Sequence, residues 1–194
     1  MLGITAGIAA YKIPYLVRLL VKAGAKVQIV MTPSASDFVT KQTLAVLSNN
    51  QVYDSFYDTQ GNWNNHVELG LWADAMIVAP TTATTLGKMA NGIADNMVVA
   101  TYLSAKCPVY IAPAMDLDMW KHPSTKANIQ KLESYGNEII PVGDGELASG
   151  LSGEGRMAEP EEIVAFMENA FSKDLELTGK TVLVTAGPTY EAID

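Results

Sequence analysis

The sequence predicts an α/β fold: a parallel sheet of about five strands with helices on both faces. Three observations carry that expectation. Short apolar runs alternate with segments of helical spacing along the chain. The apolar runs end in glycine, proline or threonine, the residues that break strands and open turns. The chain has 194 residues, of which 48% are hydrophobic, enough for one domain with a sizeable core.

LGITAG (2–7) reads as the tail of a first strand running into a glycine turn. A strand this close to residue 1 suggests that natural chains carry several residues before it. IPYLVRLLVKAG (13–24) has Ile13, Leu16, Val17, Leu20 and Val21 on one helical face and Gly24 as its stop. KVQIVMT (26–32) is a strand bounded by Pro33, and residues 34–48 form a short helix. Residues 51–65 are polar and aromatic and read as an irregular excursion. VELGLWA (67–73) is a short helix, DAMIVAPTT (74–82) a strand, and 85–105 a helix with a break near Gly92. CPVYIAPAM (107–115) is a strand, 124–136 a helix with a glycine stop, and NEIIPV (137–142) a short last strand. Residues 159–173 form an amphipathic helix with acidic residues in its first turn, where they complement the helix dipole. KTVLVTAGPTYEAID (180–194) then starts a new strand and glycine turn after the linker 174–179. It reads as the start of a second domain, so the expected division is 1–173 and 174–194.

Charged residues make up only 18% of the chain, a share that suits either a large core or burial against copies of itself. The net charge of −8 argues against a nucleic-acid partner. One cysteine, Cys107, permits no intrachain disulfide, which fits a reducing compartment. No leader or membrane-length apolar run is visible, so the expected location is cytoplasmic with no membrane partner.

Five segments could carry chemistry. GITAGIAAYK (3–12) is a turn of small residues at a strand end, suited to phosphate or cofactor binding or to tight helix–sheet packing. It lacks the GxGxxG dinucleotide fingerprint. APTTATTL (79–86) puts threonine hydroxyls at another strand end, for a ligand or for helix capping, and Thr32 ends the second strand at the same level. His66 stands in a polar setting before a helix and suits proton transfer. It has no companions at metal-ligand spacing, and no metal is expected. His122, in KHPST, reads as a surface turn residue. APAMDLDMW (112–120) sets soft apolar groups beside Asp116 and Asp118. GELASGLSGEGRM (145–157) is a glycine-rich loop with one arginine, a candidate flap whose glycines would act as hinges.

Taken together, TAGIAAYK, His66, APTTATTLGKMANGIADN, PAMDLDMW and LASGLSGEGRM occur in the order found in the flavin-dependent cysteine decarboxylases, and the chain resembles that family over essentially its whole length. Within that family it resembles specifically the phosphopantothenoylcysteine decarboxylase part of bifunctional coenzyme A biosynthesis proteins. The ending, 180–194, looks like the first strand of their ligase part.

The resemblance implies a Rossmann-like, flavodoxin-type fold and FMN as cofactor. It implies homotrimers with the flavin near the subunit contact, four of which make a dodecamer in bifunctional members. The flavin would meet Gly7, Ile8, Thr32, Thr82, Thr85, Ala114 and Met115. The implied substrate is 4′-phosphopantothenoylcysteine, with Asp116, Met119, Ala148, Arg156 and Met157 around it; Lys12, Lys88 or Arg156 would hold its phosphate. The implied reaction oxidises the thiol-bearing carbon to a thioaldehyde, releases CO2, and reduces the resulting enethiol to give 4′-phosphopantetheine. His66, Asp116 and Ser149 occupy the catalytic positions.

The chain departs from the family at four of these. Gly7 replaces a serine and Thr84 an asparagine. Asp116 stands where an asparagine binds the substrate carboxylate, and Ser149 where a flap cysteine donates the last proton. A serine hydroxyl is a far weaker acid than a thiol, so Asp144 and Glu146 are alternative donors. An enzyme that stops at the enethiol, and a non-catalytic FMN-binding subunit, are the alternative readings.

Overall fold

The computed structural model describes residues 1–173 and Thr181. The expected second-domain start at 174–194 otherwise lies outside the described residues. Six parallel strands form one sheet: β1 (Leu2–Ile4), β2 (Ile29–Met31), β3 (Val52–Tyr53), β4 (Met76–Thr81), β5 (Val109–Pro113) and β6 (Glu138–Ile139). Their order is β3-β2-β1-β4-β5-β6, so the winding reverses between β1 and β4. In doubly wound sheets that reversal opens a crevice at the strands' carboxyl ends.

Alternation along the strands builds two cores. Ile29, Met31, Ile77, Ala79, Tyr110 and Ala112 face one side, with helices α1 (Ile13–Lys22), α2 (Lys41–Ser48) and α8 (Pro160–Lys173). Val30, Met76, Val78, Val109 and Ile111 face the other. There they meet α4 (Ala83–Asn91), α5 (Met97–Ser104) and α7 (Pro123–Ser134). Such two-sided burial requires continuous apolar strands, which is what the sequence displays. Gly3 sits in β1 because Val98 packs on it: a Cβ there would lie 3.1 Å from the Val98 Cγ1.

Local signals account for most helix ends. Thr40 caps α2 by accepting from the Thr43 N–H, and Asn96 caps α5 by accepting from Val98 and Val99. Gly92, at φ 68°, takes the left-handed conformation that ends α4. The helix expected over 85–105 is therefore two, separated at Gly92. The helix expected over 34–48 is a 3-10 turn (Pro33–Asp37) followed by α2.

Asn65 caps α3 (His66–Trp72) by accepting from Val67 and Glu68. α3 crosses α5 at Gly70, where a Cβ would stand 2.9 Å from the Ser104 carbonyl carbon. Backbone cannot yield as a side-chain tip can. Gly70→Ala is therefore expected to cost roughly 1–3 kcal/mol by overpacking, measurable as a lowered urea midpoint.

Three strands were not visible as such in the sequence. β3 lies inside the polar excursion 51–65 and only Val52 is buried. The glycine-rich flap is an antiparallel hairpin, β7 (Gly143–Glu146) with β8 (Ser152–Arg156), rather than an irregular loop. A short helix, α6 (Leu117–Lys121), packs against β8.

Candidate active site

A cleft of ≈ 540 Å³ opens at the carboxyl edge of the sheet, where β1 and β4 part. The first turn after β1, the start of α4, the segment after β5 and the hairpin β7–β8 wall it. Its volume suits a cofactor with a small substrate.

Thr5 joins two of these walls. Its hydroxyl donates to the Pro80 carbonyl at 2.7 Å and accepts from the Thr82 N–H at 3.1 Å. The Thr81 hydroxyl donates back to the Val78 carbonyl at 2.6 Å. Thr82 heads α4 and its hydroxyl engages the Thr85 N–H at 3.5 Å and hydroxyl at 3.3 Å. Of the threonines in APTTATTL, Thr82 faces the cleft, while Thr85 supports it from a buried position behind.

The hairpin is docked backbone to backbone. The Met115 N–H donates to the Gly155 carbonyl at 2.9 Å. A Cβ on Gly155 would lie 2.4 Å from the Met115 carbonyl oxygen, and the residue has φ +137°. Gly153 similarly passes Leu117. The Trp120 indole donates to Glu154 at 3.1 Å, and Lys126 lies 3.8 Å over the same ring. Expected as hinges, Gly153 and Gly155 are instead contact points.

Lys12 is buried with its ammonium on Glu159 at 2.7 Å, and Arg156 reaches the same carboxylate at 3.2 Å. The hydrogen bond from Lys12 is the main cause that holds the Glu159 carboxyl below the usual range. A lowered carboxyl stabilises the fold above its unfolded value, about 4.3. That contribution fades as pH falls through the lowered folded value. Glu159→Gln is thus expected to cost no more than about 1 kcal/mol at neutral pH, because Glu159 is half-exposed and the Lys12 ammonium keeps the Met157 carbonyl as an acceptor. The gap between parent and variant should close below about pH 4, read as urea denaturation at both pH values.

Gly7, Ile8, Thr82, Ala114, Met115, Asp116, Met119, Ala148, Arg156 and Met157 all line the cleft. These residues, named from the sequence, come together from four separate segments. Lys12 also lines it but is committed to Glu159, and Lys88 is paired with Asp95 elsewhere on α4.

Besides Lys88 and Asp144, four named residues do not line it. Thr85 lies behind Thr82. Thr32 follows β2 on the same edge, and its hydroxyl is buried without a hydrogen-bond partner, as is that of nearby Ser36. Ser149 is exposed at the hairpin tip, where its hydroxyl accepts from the Leu151 N–H at 3.4 Å. His66 sits edge-on to Phe56 and Trp63 at 5.7 and 5.8 Å, with its Nδ1 buried and unpartnered.

Tyr11, Leu147 and Gly155 line the cleft without having been assigned a role, and Glu146, named as an alternative donor, lines it too. Tyr11 lies in the segment 3–12 and the others in 145–157, so the segments marked them though no individual role did. No group of three or more His, Cys, Asp or Glu is arranged for a metal among the described residues, and no described helix is long and apolar enough to cross a membrane.

The Flavoprotein family matches residues 1–172. A cysteine/cysteine sulfinic acid decarboxylase from an unknown prokaryotic organism is 56% identical over 161 residues, 80% of this chain and 45% of that relative. The coenzyme A biosynthesis bifunctional protein CoaBC of Bacillus subtilis (strain 168) is 46% identical over 197 residues, 100% of this chain and 48% of that protein. The chain thus spans about half the length of these relatives. A solved Cys→Ser mutant of a PPC decarboxylase, complexed with pantothenoylaminoethenethiol, superposes with TM-score 0.79 at 32% identity, covering 88% of this chain and 96% of that one. The match spans every segment that walls the cleft: the chain belongs to the Flavoprotein family.

Proposed function

We propose that this chain binds FMN in the cleft and decarboxylates the cysteine carboxylate of 4′-phosphopantothenoylcysteine, giving 4′-phosphopantetheine for coenzyme A biosynthesis. The observation that carries this reading is the convergence of the TAGIAAYK, APTTATTL, PAMDLDMW and LASGLSGEGRM segments on one cleft. Relatives named as FMN-dependent cysteine decarboxylases and as an FMN binding protein support the cofactor. The residues suit it. The buried, unpartnered hydroxyls of Thr32 and Ser36 await an acceptor or donor such as a phosphate. Ala114 and Met115 offer an apolar wall for a flat ring.

Bound FMN supplies a reversible two-electron exchange with the thiol-bearing carbon of the substrate, which creates an electron sink for the departing carboxylate. The chain supplies the rest. Arg156 offers a guanidinium to an anionic substrate group. Glu159 shares its charge, so that interaction is moderated. Leu147, Ala148 and Met157 close the apolar side and keep water from the reacting carbons. His66 handles the thiol proton.

Within one chain His66 does not line the cleft. A homo-oligomer, a trimer by the resemblance, accounts for this. Ile8 and Tyr11 are 59% and 62% exposed on the cleft wall, and Val67 and Leu71 flank His66 on α3. Apposing such apolar surfaces would carry His66 of one copy to the cleft of another. By the likeness to CoaBC, we further assign the polypeptide a phosphopantothenate–cysteine ligase half and, for the bifunctional assembly, a dodecamer.

One observation favours a second outcome. Ser149 is exposed at the hairpin tip, and the solved Cys→Ser relative is complexed with an enethiol. A chain that lacks a competent acid would release that enethiol. Product mass decides. Full turnover removes about 44 Da from the substrate, and oxidative decarboxylation about 46 Da.

A further inference from the structure

We propose that Asp116 is the acid that protonates Cα after CO2 leaves. The inference rests on the FMN-dependent decarboxylation proposed above and deepens it.

Asp116 lines the cleft between Met115 and the first turn of α6. It precedes that helix, yet its carboxylate caps nothing; only its carbonyl is used, accepting from the Trp120 N–H at 2.8 Å. Its side chain makes no hydrogen bond or ion pair among the described residues. An aspartate before a helix usually spends its side chain on the first N–H groups, so this one is left free for the cleft. Ser149, by contrast, points its exposed hydroxyl at its own turn. The two departures from the family pattern thus compensate each other: the acid missing from the flap tip is present on the cleft wall.

The substrate chemistry supplies the proton. Two carboxylates brought against each other share one proton rather than both staying ionised. A protonated Asp116 can therefore donate a hydrogen bond to the substrate carboxylate, as an asparagine amide would. When CO2 leaves, the C–C electron pair forms the enethiolate, and electron density at Cα lies beside the Asp116 O–H. The O–H bond breaks, a C–H bond forms at Cα, and the C–S bond becomes C=S. Asp116 is left as a carboxylate. Bound FMN would supply the two electrons that turn this thioaldehyde into the thiolate. Solvent reprotonates Asp116 and the thiolate. The net change is loss of CO2 and gain of one proton at Cα.

Asp116→Asn, in flavin-loaded protein, keeps an amide donor for the carboxylate but removes the acid. Its product should shift from a loss of about 44 Da to one of about 46 Da. A second readout needs no turnover. Binding of 4′-phosphopantothenoylserine, whose hydroxyl replaces the thiol, is followed by calorimetry at pH 8 in buffers of different ionisation enthalpy. The parent should take up about one proton more per site than Asp116→Asn. The inference is overturned if Asp116→Asn still yields the fully reduced product, if it loads flavin but releases no CO2, or if parent and variant take up equal protons. A parent that makes the enethiol also overturns it while sparing the decarboxylase reading. A parent that loads flavin and yields neither product overturns the decarboxylase reading itself.

Discussion

Gly155→Ala should undock the flap. A Cβ 2.4 Å from the Met115 carbonyl oxygen cannot be accommodated without moving one backbone or the other. The residue's φ of +137° is strained for any L side chain as well. Strain and overpacking together are worth roughly 2–5 kcal/mol. The hairpin is peripheral, so the fold can relieve much of this by releasing β8 from the 114–116 segment. The expected signature is a rise in protease cleavage within 145–156 and a fall in kcat/KM of about 100-fold or more. The urea midpoint of the sheet should move less. A variant with parental protease resistance would show that the hairpin is held by other contacts.

His66→Asn should abolish turnover without unfolding the chain. Losing a general base or acid typically costs about 10²–10⁴ in rate. The ring meets Phe56 and Trp63 edge-on, and Asn65 rather than His66 caps α3. Flavin loading should therefore persist. Because His66 is absent from its own chain's cleft, co-assembled His66→Asn and Gly155→Ala chains should regain activity above either variant alone. In such a mixture, one copy contributes an intact cleft and another an intact histidine. No gain on co-assembly would place His66 and the cleft in the same copy.

The alternation of strands and helices was legible because the sheet is buried on both faces. Its apolar runs, such as MIVAP in β4, stand out from any polar background. The capping residues Thr82, Asn96 and Gly92 mark helix ends that the hydrophobic pattern alone ran together. β3 was obscured because an edge strand of two residues leaves almost no pattern. The hairpin was obscured because its residues are chosen for close backbone approach, and glycines at 153 and 155 carry no periodicity. Most of the cleft was legible through motif order, since each segment ends a strand on one sheet edge. His66 and Ser149 were named from the same motifs, yet neither belongs to the cleft of a single chain. A motif fixes residue type and order, while the partner surface or flap position that brings a side chain to the substrate is a tertiary property.

The most direct measurement is anaerobic incubation of the yellow, flavin-loaded protein with 4′-phosphopantothenoylcysteine, reading product mass and flavin absorbance together. The expected result is a product lighter by about 44 Da with the flavin returned to its oxidised spectrum at the end of turnover. Flavin-loaded protein that leaves the substrate mass unchanged would contradict the proposed decarboxylase function.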